Sequence, residues 1–308
     1  MKLSVESILE AYKNLKTVQE ENTPLQKLHS NGLELYAKRE DMQITGSYKF
    51  RGAYNFMSRT NAKEVVCAST GNHAKAVAYC CNLLKIRGTV FMPECTPDHK
   101  IENTKEYGKE WVTIELVGKT FDDSLEAALK SDKTFIHPFD DELVVSGQGT
   151  IGVEILQQIK PAYIFIPVGG GGMITGIATY VKAVSPNTKI VAVEPVNSAC
   201  LYEAVCRGER VVLKKMNKFV DAVAVKQAGK IAFSKALAIP TTIDIYVQVP
   251  NANVKRAMKE LHHEGIEAEP AGALAYAAIY DRLFCNKKGI GVCVISGGMW
   301  KLGKNFYR

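Results

Sequence analysis

At 308 residues, 46% hydrophobic and 23% charged, the chain has the length of one large or two ordinary soluble domains and enough apolar side chains for a sizeable core. The formal net charge of +7 comes from 39 basic and 32 acidic residues, scattered without a basic arm or a long run of one sign. That excludes nucleic acid as an expected partner and leaves a mildly basic surface suited to small anions.

The first segment, MKLSVESILEAYKNL, lacks the unbroken apolar core of a signal peptide, and no later stretch reaches the length of a membrane span. A cytoplasmic protein with no membrane partner is expected. The eight cysteines, with Cys80 and Cys81 adjacent and no CxxC spacing, suit reduced thiols better than a disulfide or zinc framework. Next comes ITGSYKFR, which seats Lys49 between Tyr48 and Phe50, with Gly46 and Gly52 close by. Taken alone, Lys49 reads as an ordinary snorkelling surface lysine.

Beyond it, apolar runs alternate with amphipathic stretches. EVVCAS precedes HAKAVAYCCNLL, GTVFMP precedes DHKIENTKEYG, YIFIPV precedes MITGIATYVKAV, and KIVAVEP precedes SACLYEAVCRG. This order predicts parallel sheets covered on both faces by helices, with ligands bound in the turns at the carboxyl ends of the strands. Three such turns stand out: ASTGNHA, PVGGGGMITG, and ISGGM after the strand GVCV.

Gly169 to Gly172 lie between a strand and a helix start, where bare amides and the helix dipole form an anion site. Thr175 falls where the last glycine of GxGxxG would be, and no Lys-Ser/Thr pair follows, so a dinucleotide or nucleoside triphosphate is disfavoured. The competing reading is a tight turn whose glycines serve packing. A lysine upstream, a phosphate cradle and polar turns at other strand ends together point to a phosphorylated carbonyl cofactor held as a Schiff base, which pyridoxal 5'-phosphate fits. Tyr48 and Phe50 are expected to supply the apolar surroundings that lower the pKa of the amine.

The segments KREDMQITGSYKFRGA, STGNHAKAVAY, HPFDDELVVSGQGTIGVEI, PVGGGGMITGIA, VAVEP, EPAGALA and VISGGM run in order from about Lys38 to Met299. In this the chain resembles the fold-type II pyridoxal-phosphate enzymes, specifically the serine/threonine dehydratase and serine racemase branch. The resemblance implies an α/β fold like that of the tryptophan synthase β chain: two open twisted-sheet domains with flanking helices and the cofactor in the cleft between them. The large domain is expected from residues 1–53 and 143–308, and a small inserted domain from 54–142.

Carried over residue by residue, the resemblance makes Lys49 the Schiff-base lysine and Tyr48 the ring packed on the cofactor. Asn72 would bond the 3-hydroxyl. Ser69, Thr70, Gly71, Asn72 and His73 would form the loop that grips the substrate carboxylate. Gly169, Gly170, Gly171 and Gly172, with the Met173 amide, would hold the phosphate, and Ser296 would face the pyridine nitrogen. Individually, His73 and Ser296 also read as capping residues. Glu269 reads as a helix-entry acid and is not placed in the site.

The chain departs from the family's pattern at three points. Met299 stands where relatives usually have Asn, and Lys75 where they commonly have Gln. Of a racemase-type metal site, Glu194 and Ser198 match but Cys200 replaces the Asp, so no metal is expected. The implied activity is β-elimination on L-threonine, L-serine or a similar β-hydroxy amino acid. Lys49 and Thr70 would be catalytic, and the assembly a homodimer or homotetramer. Serine or aspartate racemisation, β-replacement and non-catalytic cofactor binding remain as alternatives. Twelve residues follow Ser296, so no C-terminal regulatory domain is expected.

Overall fold

A computed structural model describes residues 2–299 except 31, 217, 239 and 240. In chain order the strands are β1 (Leu25–Lys27), β2 (Glu34–Arg39), β3 (Glu64–Ala68), β4 (Arg87–Met92), β5 (Val112–Leu116), β6 (Thr134–Phe135), β7 (Tyr163–Pro167), β8 (Lys189–Pro195), β9 (Ile245–Val249) and β10 (Ile290–Ile295). The α-helices are α1 (Val5–Leu15), α2 (Lys49–Met57), α3 (Asn72–Leu84), α4 (Asp98–Gly108), α5 (Phe121–Lys130), α6 (Glu142–Gln158), α7 (Gly172–Val184), α8 (Cys200–Arg207), α9 (Lys230–Ala236), α10 (Asn251–His263) and α11 (Pro270–Ala277). Among the described residues no helix is long and apolar enough to cross a membrane.

The strands form a six-stranded sheet, β1-β2-β10-β7-β8-β9, and a four-stranded sheet, β5-β4-β3-β6. Every pairing is parallel except β1 with β2. The apolar runs are continuous because both faces of the large sheet are covered, so alternate residues enter different cores. Phe165, Val191, Val193, Cys293 and Ile295 pack on one side with α10 and α11. Ile164, Ile166, Ile190, Val292 and Val294 pack on the other with α6 and α7. The small sheet behaves likewise, with Val65 and Cys67 in one cluster and Val66 and Ala68 in another.

The longest helix, α6, lies between α2 and α7 and is buried from Val144 to Ile155. Its glycines allow backbone-to-backbone approach. A Cβ on Gly147 would lie 2.6 Å from the Arg51 carbonyl oxygen of α2, and one on Gly149 would lie 2.9 Å from the Gly176 carbonyl oxygen of α7.

Below α2 is a fully buried ion network. The Arg51 guanidinium bonds both oxygens of Glu40 (2.7 and 2.8 Å) and both of Glu154 (2.7 and 2.9 Å), while Lys38 Nζ donates to Glu154 at 2.6 Å. Two cations face two anions, and Thr150 accepts from Arg51 at 3.0 Å. Burial alone would raise the pKa of Glu154, but Arg51 and Lys38 hold it below the ordinary carboxylate range. The network joins β2, the turn Glu40–Met42, α2 and α6, and so sets where the first turn of α2 begins.

Candidate active site

Lys49 is the first residue of α2 and is half-buried. Its loop is held by the turn after β10: the Tyr48 N–H donates to the Ser296 carbonyl at 3.1 Å, Gly298 N–H donates to the Gly46 carbonyl at 3.0 Å, and Ser47 bridges to Gly297. Lys49 and Ser296, far apart in sequence, are thereby brought to one strand edge. Lys49 Nζ donates to the Pro138 carbonyl at 2.6 Å and stands 5.1 Å from the Tyr48 ring centroid. Burial lowers its pKa to about 8, against an opposing pull from Glu269. Its place at the positive end of α2 acts in the same direction as burial. Phe50 departs from expectation: one residue further around the helix, it points into the small-sheet core against Tyr54 and Tyr79 and does not flank the amine.

The tetraglycine turn leaves β7 and starts α7. Gly171 is left-handed (φ 89°) at the N-cap, and no side chain caps the helix. A Cβ on Gly170 would lie 2.2 Å from the Phe139 ring, and one on Gly171 2.4 Å from Ala232 Cβ, so these glycines also serve close packing. The Met173 side chain is buried. At α3 the N-cap is Gly71, again without a side-chain cap. Ser69 Oγ instead accepts from the Gly71 N–H at 3.2 Å. Ser69, Thr70 and Asn72 are half-buried. The His73 ring is 4% exposed and donates from Nε2 to the Ile136 carbonyl at 3.0 Å. Burial first, then the Lys49 charge, lowers its pKa to about 3, which favours the neutral ring.

Sequence reasoning left out two groups. Glu269 accepts from Asn72 Nδ2 at 2.7 Å, and burial raises its pKa to about 7. The segment 137–140 also lines the cleft. His137 Nδ1 accepts from the N–H groups of Phe139 (3.2 Å) and Asp140 (2.8 Å), Pro138 meets Lys49, Phe139 lies against Gly170, and Asp140 accepts from the first amides of α9 at 2.9 Å. Its sequence signal was HPFDD directly after a short strand, the chemistry of a tight turn.

Glu194 and Ser198 are buried, but the Glu194 carboxylate accepts from the Leu201 and Tyr202 N–H groups, both at 2.9 Å, at the start of α8. Cys200 Sγ donates to the Gly169 carbonyl at 3.3 Å. Among the described residues no cluster of three or more His, Cys, Asp or Glu side chains has the arrangement of a metal site.

The donor set suits a phosphorylated carbonyl compound. An amine with pKa near 8 can act as a nucleophile at neutral pH, and the starts of α7 at Gly172 and α3 at Asn72, which no side chain caps, suit anions.

A family model described as "Pyridoxal-phosphate dependent enzyme" matches residues 16–297. The "L-threonine dehydratase biosynthetic IlvA" of Bacillus subtilis (strain 168) is 42% identical over 318 residues, covering 98% of this chain and 74% of the relative. Among solved structures, the processed form of threonine deaminase isoform 2 from Solanum lycopersicum superposes with a TM-score of 0.88 at 36% identity, covering 97% of this chain and 90% of that one. Maize serine racemase gives a TM-score of 0.88 at 27% identity, covering 98% and 95%.

Proposed function

The chain belongs to the pyridoxal-phosphate dependent enzyme family, and from that premise we propose that it is a dehydratase converting L-threonine or L-serine to a 2-oxo acid and ammonium. Pyridoxal phosphate, when bound, supplies an electron sink conjugated with the substrate Cα. Lys49 would hold its carbonyl carbon. The amides from Gly169 to Met173 would hold its phosphate, Asn72 would bond its 3-hydroxyl, and Ser296 would face its ring nitrogen. Ser69, Thr70 and the amides opening α3 take the substrate carboxylate.

The Lys49 amine would take the Cα proton. A pKa near 8 suits that task, because an appreciable fraction of the amine is unprotonated at neutral pH. Ser296 is a neutral partner, so the sink it serves is weaker than one facing a carboxylate. A substrate whose β-hydroxyl leaves at once relieves the Cα charge, which favours elimination over returning a proton to the second face.

One observation carries this reading: Lys49 at the start of α2 meets Pro138, whose neighbour Phe139 lies against Gly170 at the start of α7, a helix that no side chain caps. The test is 2-oxobutanoate release from L-threonine by the purified protein with pyridoxal phosphate. Wild type should release it steadily, while Lys49→Ala should release none and lose the protein's visible cofactor absorbance. An unchanged spectrum in Lys49→Ala would remove Lys49 from the assignment.

A further inference from the structure

Resting on the reading that pyridoxal phosphate lies beside Lys49 and Asn72, we propose that Glu269 is a positioning residue that fixes the orientation of the Asn72 amide. Glu269 stands at the N-cap of α11, a position from which short polar side chains often accept from the first helical amides. It makes no such bond. Its Oε1 turns toward α3 and accepts from Asn72 Nδ2 at 2.7 Å.

The backbone is shaped around this pair. Glu269 N–H donates to the Gly297 carbonyl at 3.1 Å, and a Cβ on Gly297 would lie 2.6 Å from Glu269 Oε1 and 3.2 Å from Asn72 Nδ2. A glycine at 297 leaves the space in which carboxylate and amide meet.

The chemistry of the pair sets a polarity. An asparagine amide can present either end to a neighbour, but an ionised carboxylate only accepts. Glu269 therefore selects the rotamer with Nδ2 toward itself and leaves Oδ1 and the second Nδ2 hydrogen for the cofactor. Several groups act on the carboxyl: Lys75 and Asn72 from α3, Lys100 from α4, and Asp221 from the turn Lys218–Val223. Lys49 of α2 feels it in return. Burial raises the pKa of Glu269 to about 7, with Lys75 the largest opposing influence. Lys75 is only 8% exposed, and its ammonium would sit 4.0 Å from a Cβ on Gly46, over the Lys49 loop. Lys75, which stands where the resemblance leads one to expect Gln, is thus the strongest charge opposing the rise in the Glu269 pKa.

The test is titration of pyridoxal phosphate into the cofactor-free full chain, followed by protein fluorescence, from about pH 6 to about pH 9. Wild-type affinity should rise as pH passes about 7 and Glu269 ionises. Glu269→Ala should bind about tenfold more weakly at the alkaline end, the order of a lost charge-assisted hydrogen bond, and lose the step near pH 7 while the rise near pH 8 from Lys49 deprotonation remains. Glu269→Gln, which keeps the volume, should bind close to wild type at the alkaline end but also without the step. Lys75→Gln should keep the step and move it to higher pH. Wild-type affinity and an unshifted step in the Glu269 variants would make Glu269 a simple helix-entry acid and overturn the proposal. Failure of wild type to bind at any pH would overturn the cofactor reading beneath it.

Discussion

Lys49 is held by opposed demands: its Nζ needs burial to be a nucleophile at neutral pH, and a partner to be buried at all. The Pro138 carbonyl supplies the partner at 2.6 Å without supplying a negative charge, so the pKa stays depressed at about 8 instead of recovering toward 10.5. Reductive methylation of the cofactor-free protein should therefore modify Lys49 with a midpoint near pH 8, well below that of exposed lysines, as read by peptide mass spectrometry. Modification only above about pH 10 would contradict the burial argument. Thr70, half-buried in the loop before α3, should act mainly on substrate capture, so Thr70→Ala is expected to raise KM more than it lowers kcat. Lys49, Asn72 and the four glycines could be named from sequence because each sits in a turn with its own local chemistry. Glu269 could not: its hydrogen bond to Asn72 spans 197 residues, and Pro138 meets Lys49 across 89. Phe50 is adjacent to Lys49 in sequence but not on the helix surface, where successive side chains diverge.

At the scale of elements, close helix packing is written in glycine. Gly147, Gly149 and Gly152 of α6 have the spacing of a dinucleotide-binding fingerprint, yet they lie within a buried helix and admit the backbones of α2 and α7. The tetraglycine turn combines both uses, since its amides open α7 while Phe139 occupies the space of a Gly170 Cβ. Gly170→Val should weaken pyridoxal phosphate binding. Adding Phe139→Ala should recover affinity only as far as the clash, and not lost access to the amides, is responsible. Wild-type affinity in Gly170→Val would assign the glycines to packing alone. The network under α2 makes a further prediction. Arg51→Met leaves the Glu40 and Glu154 carboxylates buried without their shared cation and should cost about 3–5 kcal/mol in urea unfolding. The alternating apolar runs made the strands and helices legible, but nothing local in KREDMQITGSYKFR showed that its charges would pair inside the protein.

At the scale of the molecule, three contacts join the two sheets' surroundings around the cleft: Lys49 to Pro138, Asn72 to Glu269, and Phe139 to Gly170. The strands of the small sheet all fall between Glu64 and Phe135, and we propose on that basis a small unit of residues 54–142 and a large unit from the two flanks. The parallel α/β architecture was legible because every strand-helix pair carries its own period; which turns share a cleft was not, since that depends on how the two sheets meet. The buried network also links stability to pH. The pKa of Glu154 is depressed when folded, so its contribution is complete above the ordinary carboxylate value of 4.5 and is lost as pH falls below it. Urea midpoints should fall steeply below about pH 4.5 in wild type and less steeply in Glu154→Gln. Most direct for the account as a whole is to follow L-serine turnover with pyruvate release and chiral amino-acid analysis in the same reaction. Elimination predicts pyruvate and ammonium in equal amounts, with little D-serine. D-serine forming faster than pyruvate, and vanishing in Thr70→Ala, would contradict it.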